Sequence, residues 1–373
     1  MARGMTPRRL LIGAVAAVAV LAILSVPFVL KKDHSSAPAA PSAQIPSPAE
    51  ERAAAEAEAE PRRRVLPPVG GIYLGVSNHS LASGESSIDS WAREHGARPR
   101  IVNWYQQWLS GEQRFRTDWA LRVFRQGAVP MVTWEPWSAP KGEIHTALQP
   151  DINLQQIAGG AHDAYIRAYA RTVAAFGQPV LIRLAHEMNG TWYPWGVHVN
   201  GNTPALYVKA WRHVHRLFDA AGADNVSWVW SINNIEGRPG ENHDLAEYYP
   251  GPRWVDWVST SGFNWGDAYS WSSWRTGDSL FGGTYTALSA FGKPIMISEI
   301  GTTGSGGDAY SWIGETLATL RTDYPLLRAV AFYDDVDGGG LDFRLLGPTL
   351  RAIAQPGALG HGWLQHLRLR ELG

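Results

Sequence analysis

Two glutamates, Glu187 and Glu299, each end a short apolar run of the kind that forms a buried strand. The loop after Glu187 is rich in glycine and aromatic residues. Glycoside hydrolysis requires two opposed carboxyl groups, because one donates a proton to the leaving oxygen while the other, ionised, attacks the anomeric carbon. Indole rings nearby present flat apolar faces to a sugar. These residue types predict a site that acts on a polyhydroxylated substrate.

Two simpler interpretations stay open for these residues. The stretch from Pro179 to Asn189 can be a strand that ends in a sticky polar loop. Glu299 can serve only as the ion-pair partner of a buried arginine such as Arg183. The position of both glutamates at predicted strand ends favours the catalytic interpretation over these two.

From residue 70 onward, strand-like apolar runs alternate with helix-like stretches. The eight runs are Gly71–Val76, Arg100–Trp104, Val129–Trp134, Val180–Glu187, Val226–Ile232, Trp254–Asn264, Ile295–Ile300 and Arg328–Tyr333. Amphipathic segments predict helices over Ala161–Phe176, from Thr203 or Pro204 to Leu217 or Phe218, and over Asp308–Leu320. Eight βα units over about 280 residues match the size of a (β/α)8 TIM barrel of the α/β class. A doubly wound sheet is the alternative, but no G-x-G-x-x-G follows the first strand.

In a TIM barrel, the chemistry takes place at the face where the strands end. Acids, amides and aromatic residues cluster at this level of the sequence. They are Asn103, Trp104, Trp134, Glu135, His186, Glu187, Asn233, Asn234, Phe263, Asn264, Trp265, Glu299, Tyr333, Asp334 and Asp335. The fourth and seventh strands are three apart in a ring of eight, so Glu187 and Glu299 are expected to face each other, about 5–5.5 Å apart in a retaining enzyme.

The segment Arg183–Gly196 (RLAHEMNGTWYPWG) resembles the signature of glycoside hydrolase family 26. The resemblance extends over residues 70–355 through four further stretches. These are Val132–Pro136, Val255–Gly266, Ile297–Gly301 and Leu341–Arg344. The family contains mainly endo-β-1,4-mannanases, with some enzymes that act on mixed-linkage β-glucan or on xylan.

The resemblance implies roles for individual residues. Glu187 would be the acid/base and Glu299 the nucleophile of a retaining double displacement, and His186 would orient the site beside the acid. Trp192 and Trp195 would line sugar subsites. Further substrate contacts are expected from the remaining candidates, Asn103, Trp134, Asn189, Phe263, Trp265 and Tyr333.

Two positions depart from the family pattern. Phe263 stands where the family has a tyrosine whose hydroxyl bonds the nucleophile, so this bond is missing or comes from another group. The eighth strand often ends in a tryptophan beneath the cleaved sugar, whereas here Phe332 and Tyr333 precede Asp334 and Asp335. Both departures bear on the substrate more than on the reaction class.

The sequence therefore predicts a retaining, endo-acting glycoside hydrolase that cleaves β-1,4-linked mannan. A lichenase-like β-glucanase and a xylanase are alternatives within the same chemistry. An alternative of another class is a catalytically weak barrel that binds carbohydrate or processes exopolysaccharide. Phe263 favours that alternative, and the retention of both glutamates opposes it.

Composition excludes several other functions. The 373 residues include 18 Trp and no Cys, so thiolate catalysis, disulfides and cysteine-ligated zinc are impossible. The formal net charge of −1 gives no indication of the excess positive charge that is typical of nucleic-acid-binding proteins. The H-E-M-N segment lacks the second histidine of a zinc protease. Asp335, Asp337 and Asp342 match only part of a calcium loop, and an ordinary polar loop is preferred. No metal, cofactor or protein partner is predicted.

The first 69 residues are predicted to lie outside the catalytic fold. Residues 1–32 hold an uncharged, mostly apolar run from Leu10 to Leu30 flanked by basic residues, long enough for one transmembrane helix. An uncleaved anchor is preferred over a cleaved secretion signal. Residues 33–69 are an Ala/Pro/Ser/Glu-rich disordered linker, and residues 70–373 form the catalytic domain. A single-pass protein of the cell membrane with an extracellular catalytic domain is expected.

Overall fold

The structure is a computed structural model, and it describes residues 64–69, 71–108, 114–137, 149, 152–196, 199–235 and 244–350. The predicted membrane anchor and most of the predicted linker lie outside these residues, so both stay predictions. Within the described ranges, every helix is too short or too polar to cross a bilayer.

Eight parallel strands close into one barrel in the order of the sequence, each paired with its two neighbours in the chain and β8 with β1. The strands are β1 Tyr73–Ser77, β2 Ile101–Gln107, β3 Val129–Glu135, β4 Val180–Leu184, β5 Val226–Asn233, β6 Trp257–Asn264, β7 Ile295–Thr302 and β8 Leu327–Tyr333. Their near-continuous apolar runs are typical of strands covered on both faces. The predicted (β/α)8 barrel is confirmed.

Helices follow the strands around the outside of the barrel. They are α1 His79–Ser83, α2 Ile88–His95, α3 Thr117–Arg125, α4 Leu154–Ala158, α5 Asp163–Phe176, α6 Pro204–Ala220, α7 Leu245–Tyr248, α8 Gly277–Ser289 and α9 Ala309–Asp323. The start predicted for α6 is confirmed: the Thr203 side chain accepts a hydrogen bond from Leu206 N, and Pro204 occupies the first turn.

Two predicted strand ends differ from the observed ones by three residues, and both differences move side chains in the barrel mouth. β2 continues past Trp104 to Gln107, because its residues pair with β3 up to Glu135. β4 stops at Leu184, before His186 and Glu187, so the first glutamate lies in a turn beyond the strand.

The lower half of the barrel interior is apolar. Its residues form a core cluster separate from the larger one between the strands and helices. The smaller cluster consists of Val65, Tyr73, Ile101, Val129, Met131, Leu181, Val229, Trp257, Met296 and Ala329. These side chains fill the barrel below the strand ends, so it is a packed core and a substrate can reach only its upper end.

Val65 belongs to this lower core although it precedes the predicted domain boundary at residue 70. Its side chain is 2% exposed, its N–H donates to Ser227 Oγ at 2.8 Å, and its carbonyl accepts from Trp257 Nε1 at 3.0 Å. Arg64 pairs with Asp256 beside it. The predicted boundary at residue 70 therefore follows a segment that packs against the barrel. The Ala- and Pro-rich composition of the region gave no indication that Val65 covers the lower end of the barrel core.

Candidate active site

The turn after β4 carries Glu187 over the barrel opening. Ala185 and Glu187 have φ values of 43° and 55°, in the left-handed region that side chains with a Cβ rarely adopt. Backbone hydrogen bonds hold the turn between the neighbouring strands, from Ala185 N to Trp134 O at 3.1 Å and from Glu187 N to Ser231 O at 2.8 Å. The turn is therefore a defined, hydrogen-bonded structure.

Side chains from the following loop and from α6 support the same turn. Trp195 Nε1 donates to His186 O at 2.6 Å, and the Tyr207 hydroxyl donates to Ala185 O at 3.3 Å. The Asn189 side chain bonds the backbone of Asn233 twice, from Nδ2 to the carbonyl at 2.9 Å and from the N–H to Oδ1 at 2.8 Å. These bonds fix where Glu187 stands.

Both oxygens of the Glu187 carboxyl have partners. The Ser261 hydroxyl, from β6, donates to Oε1, and Trp192 Nε1 donates to Oε2 at 2.8 Å. A serine hydroxyl can also accept a hydrogen bond, so the Ser261 contact can persist when Glu187 carries a proton. Trp192 and Ser261 thus hold the carboxyl in place. The Ser261 hydroxyl can bond Oε1 whether the carboxyl is ionised or protonated.

Glu299 reaches the interior through an irregularity in β7. Between Ile297 and Ile300 the strand contains one residue more than its partner β8. Such a bulge re-aims side chains. As a result, two consecutive residues both bond inside the barrel, Ser298 through its hydroxyl to Ser231 Oγ at 3.2 Å and Glu299 through Oε2 to Arg183 Nη2 at 2.8 Å.

The two carboxyls approach each other at the mouth. An oxygen of Glu187, an oxygen of Glu299 and a ring nitrogen of His186 all lie within 4.8 Å of one another, and all three residues are buried. This separation is close to the spacing of the carboxyls in retaining glycosidases, about 5–5.5 Å, and shorter than the 6.5–9.5 Å of inverting ones.

Arg183 lies directly beneath the two glutamates and is fully buried. Besides Glu299, it bonds Ser231 Oγ through Nε at 2.9 Å and Thr133 Oγ1 through Nη1 at 3.3 Å. Burial lowers the pKa of Arg183 to about 10, so it is still cationic at neutral pH. The predicted alternative of an ion pair between Arg183 and Glu299 is therefore observed, and it coexists with the approach of Glu187.

Burial raises the pKa of the Glu299 carboxyl to about 8. The Arg183 guanidinium acts in the opposite direction, since it stabilises the anion through the bond to Oε2. Oε1 is buried and accepts no hydrogen bond from the described part of the chain. Phe263 stands where the family pattern has a tyrosine. It has no hydroxyl that could donate a hydrogen bond to Oε1.

His186 is a neutral imidazole in this setting. Burial, and then the nearby charge of Arg183, hold its pKa well below the usual range. Its Nε2 shares a hydrogen bond of 3.0 Å with the Tyr193 hydroxyl, while Nδ1 is buried without a partner among the described residues.

Two further residues enter the mouth: Glu135, which the sequence placed at a strand end without giving it a role, and Tyr105, which was not predicted. Glu135, at the end of β3, is 5% exposed and accepts from Trp137 Nε1 at 3.2 Å. Burial raises its pKa to about 7. Tyr105 on β2 lies beside His186 and Tyr333, with ring centroids 6.2 and 6.4 Å away. Tyr105 was missed because the strand was predicted to end at Trp104, three residues too early.

Four of the predicted substrate contacts have buried side chains that are engaged with the scaffold. Trp134 is fully buried outside the barrel and stacks on Tyr169 at 4.3 Å, because alternation along β3 turns it towards the helices. Asn103 is fully buried and bonds Ser77 and Thr133. Trp195 and Asn189 support the β4 turn as described above.

The other aromatic candidates form one wall of the mouth. Phe263, Trp265 and Tyr333 are all partly exposed. The Phe263 ring lies 5.4 Å from Trp265 and 5.6 Å from Tyr333 between ring centroids. Trp192 is half-buried beside Glu187. The structure thus brings these four together with His186 and both glutamates.

Within the described residues, His186, Glu187 and Glu299 are the one group with the spacing of metal ligands. Arg183 already places a positive charge on Glu299, which opposes a second cation there. In the loop after β8, Asp337 Oδ1 accepts from Gly339 N and Leu341 N, and Asp342 pairs with Arg344. These two aspartates are engaged in shaping their own loop.

Comparison with known proteins decides the family. Residues 154–307, which include the β4 turn, the Ser261 strand and Glu299, match the family described as Glycosyl hydrolase family 26. This part of the chain belongs to glycoside hydrolase family 26. The resemblance carried by the RLAHEMNGTWYPWG segment is confirmed.

Curated relatives cover different parts of the family 26 barrel. The chain is 34% identical over 298 residues to Endoglucanase H of Acetivibrio thermocellus, a match that covers 78% of this chain and 31% of the relative. It is 32% identical over 156 residues to the mannan endo-1,4-beta-mannosidase of Bacillus subtilis, covering 40% of this chain and 37% of the relative. The chain thus spans about a third of the length of these two relatives.

Solved structures share the fold of this family 26 barrel. A double mutant of the endo-beta-1,4-mannanase from Cellulomonas fimi superposes with a TM-score of 0.59 and 19% identity, covering 81% of this chain and 73% of that one. The mannanase man26 of Bacillus subtilis superposes with a TM-score of 0.52 and 20% identity, covering 76% and 86%.

Proposed function

We propose that the barrel is a retaining, endo-acting hydrolase of a β-linked polysaccharide, with Glu299 as nucleophile and Glu187 as acid/base. The observation that carries the proposal is the approach of the two carboxyls within 4.8 Å at the barrel mouth. Two buried carboxyls so close leave no room for a water between them, and a direct attack on the anomeric carbon follows. Arg183 supports the assignment because it stabilises an ionised Glu299.

In the first step, Glu187 donates a proton to the glycosidic oxygen as Glu299 attacks the anomeric carbon, and the leaving sugar departs with its oxygen protonated. A glycosyl ester on Glu299 results. In the second step, Glu187 takes a proton from water, which attacks the same carbon and releases Glu299. Trp192 and Ser261 hold the Glu187 carboxyl through both transfers.

The substrate predicted from the sequence, β-1,4-mannan, is the first candidate. The matched Bacillus relative is named a mannan endo-1,4-beta-mannosidase, which supports it. β-Glucan is a second candidate, because the relative aligned along 78% of this chain is named an endoglucanase. Initial rates on mannan, lichenan and xylan would rank them. Hydrolysis of none of the three would favour the weak, carbohydrate-binding barrel.

The roles of the glutamates are tested by replacing each with alanine and adding azide. Glu299→Ala should abolish hydrolysis, and azide should enter the space beside Arg183 and give a glycosyl azide of inverted anomeric configuration. Glu187→Ala should lose about 10²–10⁴-fold on the polysaccharide, and with an activated aryl glycoside azide should give the retained anomer. An unchanged rate for Glu299→Ala, or the same anomer from both variants, would rule out these assignments.

A further inference from the structure

Trp271 is an exposed indole at the rim of the barrel mouth, in the loop that joins β6 to α8. It is 70% exposed, and it is the one tryptophan among the exposed large hydrophobic side chains of the described residues. A single exposed apolar side chain needs no explanation by itself. The evidence for a ligand is the way this ring is held and its connection to the catalytic mouth.

The ring is held rigidly with one face open. The Tyr269 ring stacks on Trp271 with centroids 5.1 Å apart and planes 9° from parallel. The Ser272 hydroxyl in turn bonds both the N–H and the carbonyl of Tyr269, at 3.2 and 3.1 Å. Tyr269 thus covers one face of the indole, and the opposite face is available to a flat apolar surface.

The loop that carries the pair is fastened to the loop after β7. Thr303 Oγ1 donates to Trp265 O at 3.0 Å, and Asp267 N donates to Ser305 O at 3.2 Å. Gly266, with φ of 56°, permits this approach, because a Cβ there would stand 1.7 Å from Ser305 O. A pre-organised platform loses little conformational entropy when a ligand binds.

Ring contacts connect the platform to the catalytic mouth. Trp265 lies 5.8 Å from Tyr269 and 6.2 Å from Trp271. On its other side it lies 5.4 Å from Phe263, which contacts Tyr333 beside Glu299. The aromatic surface is thus continuous from the nucleophile to the rim, as a cleft for an extended chain requires.

We propose that Trp271, backed by Tyr269, is an outer sugar-binding platform that stacks on one residue of a β-linked polysaccharide beyond the sugars next to the cleaved bond. The occupant is a polysaccharide chain because the platform continues the aromatic wall of the mouth. This inference rests on the proposed function and adds the place where a long substrate is held. Only a chain long enough to reach the rim gains from Trp271.

The test measures binding without catalysis. The full chain carrying Glu299→Gln, with and without Trp271→Ala, is titrated with mannan, lichenan and xylan, then with oligosaccharides of increasing length from the polymer that binds most tightly. Trp271→Ala should weaken binding of the polymer and the longer oligosaccharides about tenfold and leave the shorter ones unchanged. Trp271→Phe, which keeps a flat ring, should restore most of the affinity.

Leu326→Ala is the matched surface control, since Leu326 is exposed just before β8, at the opposite end of the barrel. It should change no affinity. Equal weakening for short and long ligands, or no effect of Trp271→Ala at any length, overturns the platform. A length-dependent loss in a chain whose wild-type form hydrolyses nothing supports the platform and refutes the proposed catalysis. If the wild type hydrolyses the polysaccharide but binding does not depend on Trp271, the proposed catalysis is supported and the platform is refuted.

Discussion

Replacing Arg183 by methionine should move the acidic limb of the pH–rate profile towards neutral pH. Methionine removes the charge and keeps an unbranched apolar side chain. Burial raises the pKa of Glu299 to about 8, so without the guanidinium only about 1% of this carboxyl is ionised at pH 6 and about 10% at pH 7. If Glu299 is the nucleophile, kcat/KM should fall about 100-fold at pH 6 and by less, about tenfold, at pH 7.

The same substitution should make stability depend on pH. A carboxyl whose folded pKa lies above its unfolded value of 4.5 binds a proton more tightly in the native state, so stability falls as pH rises from about 4.5 to about 8. The full penalty is about 5 kcal/mol at 1.36 kcal/mol per pKa unit. This agrees with the about 3–5 kcal/mol expected when one partner of a buried pair is removed.

The assays are kcat/KM from pH 5 to 9 and urea unfolding over the same range, for the wild type, Arg183→Met and Arg183→Met/Glu299→Gln. The double variant is the stability control, because it has no carboxyl to titrate at this position and its unfolding free energy should lose the part of the slope that Glu299 contributes. A rate profile of Arg183→Met that is merely scaled down from the wild type at every pH would refute the argument. Equal slopes in the single and double variants would refute it as well.

Two further predictions concern the third carboxyl and the barrel floor. Burial raises the pKa of Glu135 to about 7, so this carboxyl destabilises the fold once it is ionised. By urea unfolding, Glu135→Gln should equal the wild type in stability near pH 4.5 and exceed it by up to about 3 kcal/mol above pH 7. A stability difference that is the same at every pH would contradict this. Val65→Ala should lower the free energy of unfolding by about 1.5 kcal/mol and the Tm by about 3–6 °C, and it should leave kcat/KM unchanged. Val69→Ala, at a fully exposed position, should change none of these quantities. Equal thermal shifts for the two valine variants would refute the floor contact.

The sequence by itself determined the architecture and the two acidic residues. Strands buried on both faces need continuous apolar runs, and these recur eight times between helix-length segments. A run that ends in an ionisable residue indicates the upper part of the barrel, since a charge is costly in the apolar interior below it. The strand bounds themselves differ, because β4 ends before Glu187 and β7 continues to Thr302. Both glutamates, His186 and the aromatic wall were therefore identifiable without coordinates.

Only the tertiary structure decided what each of the other side chains does. The direction of Trp134 depends on the alternation of β3 and the placement of α5, and neither is encoded in the strand-end pattern. The direction of the Glu299 side chain depends on a bulge in β7, and the apolar sequence of β7 does not indicate this bulge. Arg183, Ser261 and Glu135 come from different strands, so their meeting under or beside Glu187 is a property of the closed ring. Contacts between strands distant in sequence set burial, and burial sets the charge that each group carries.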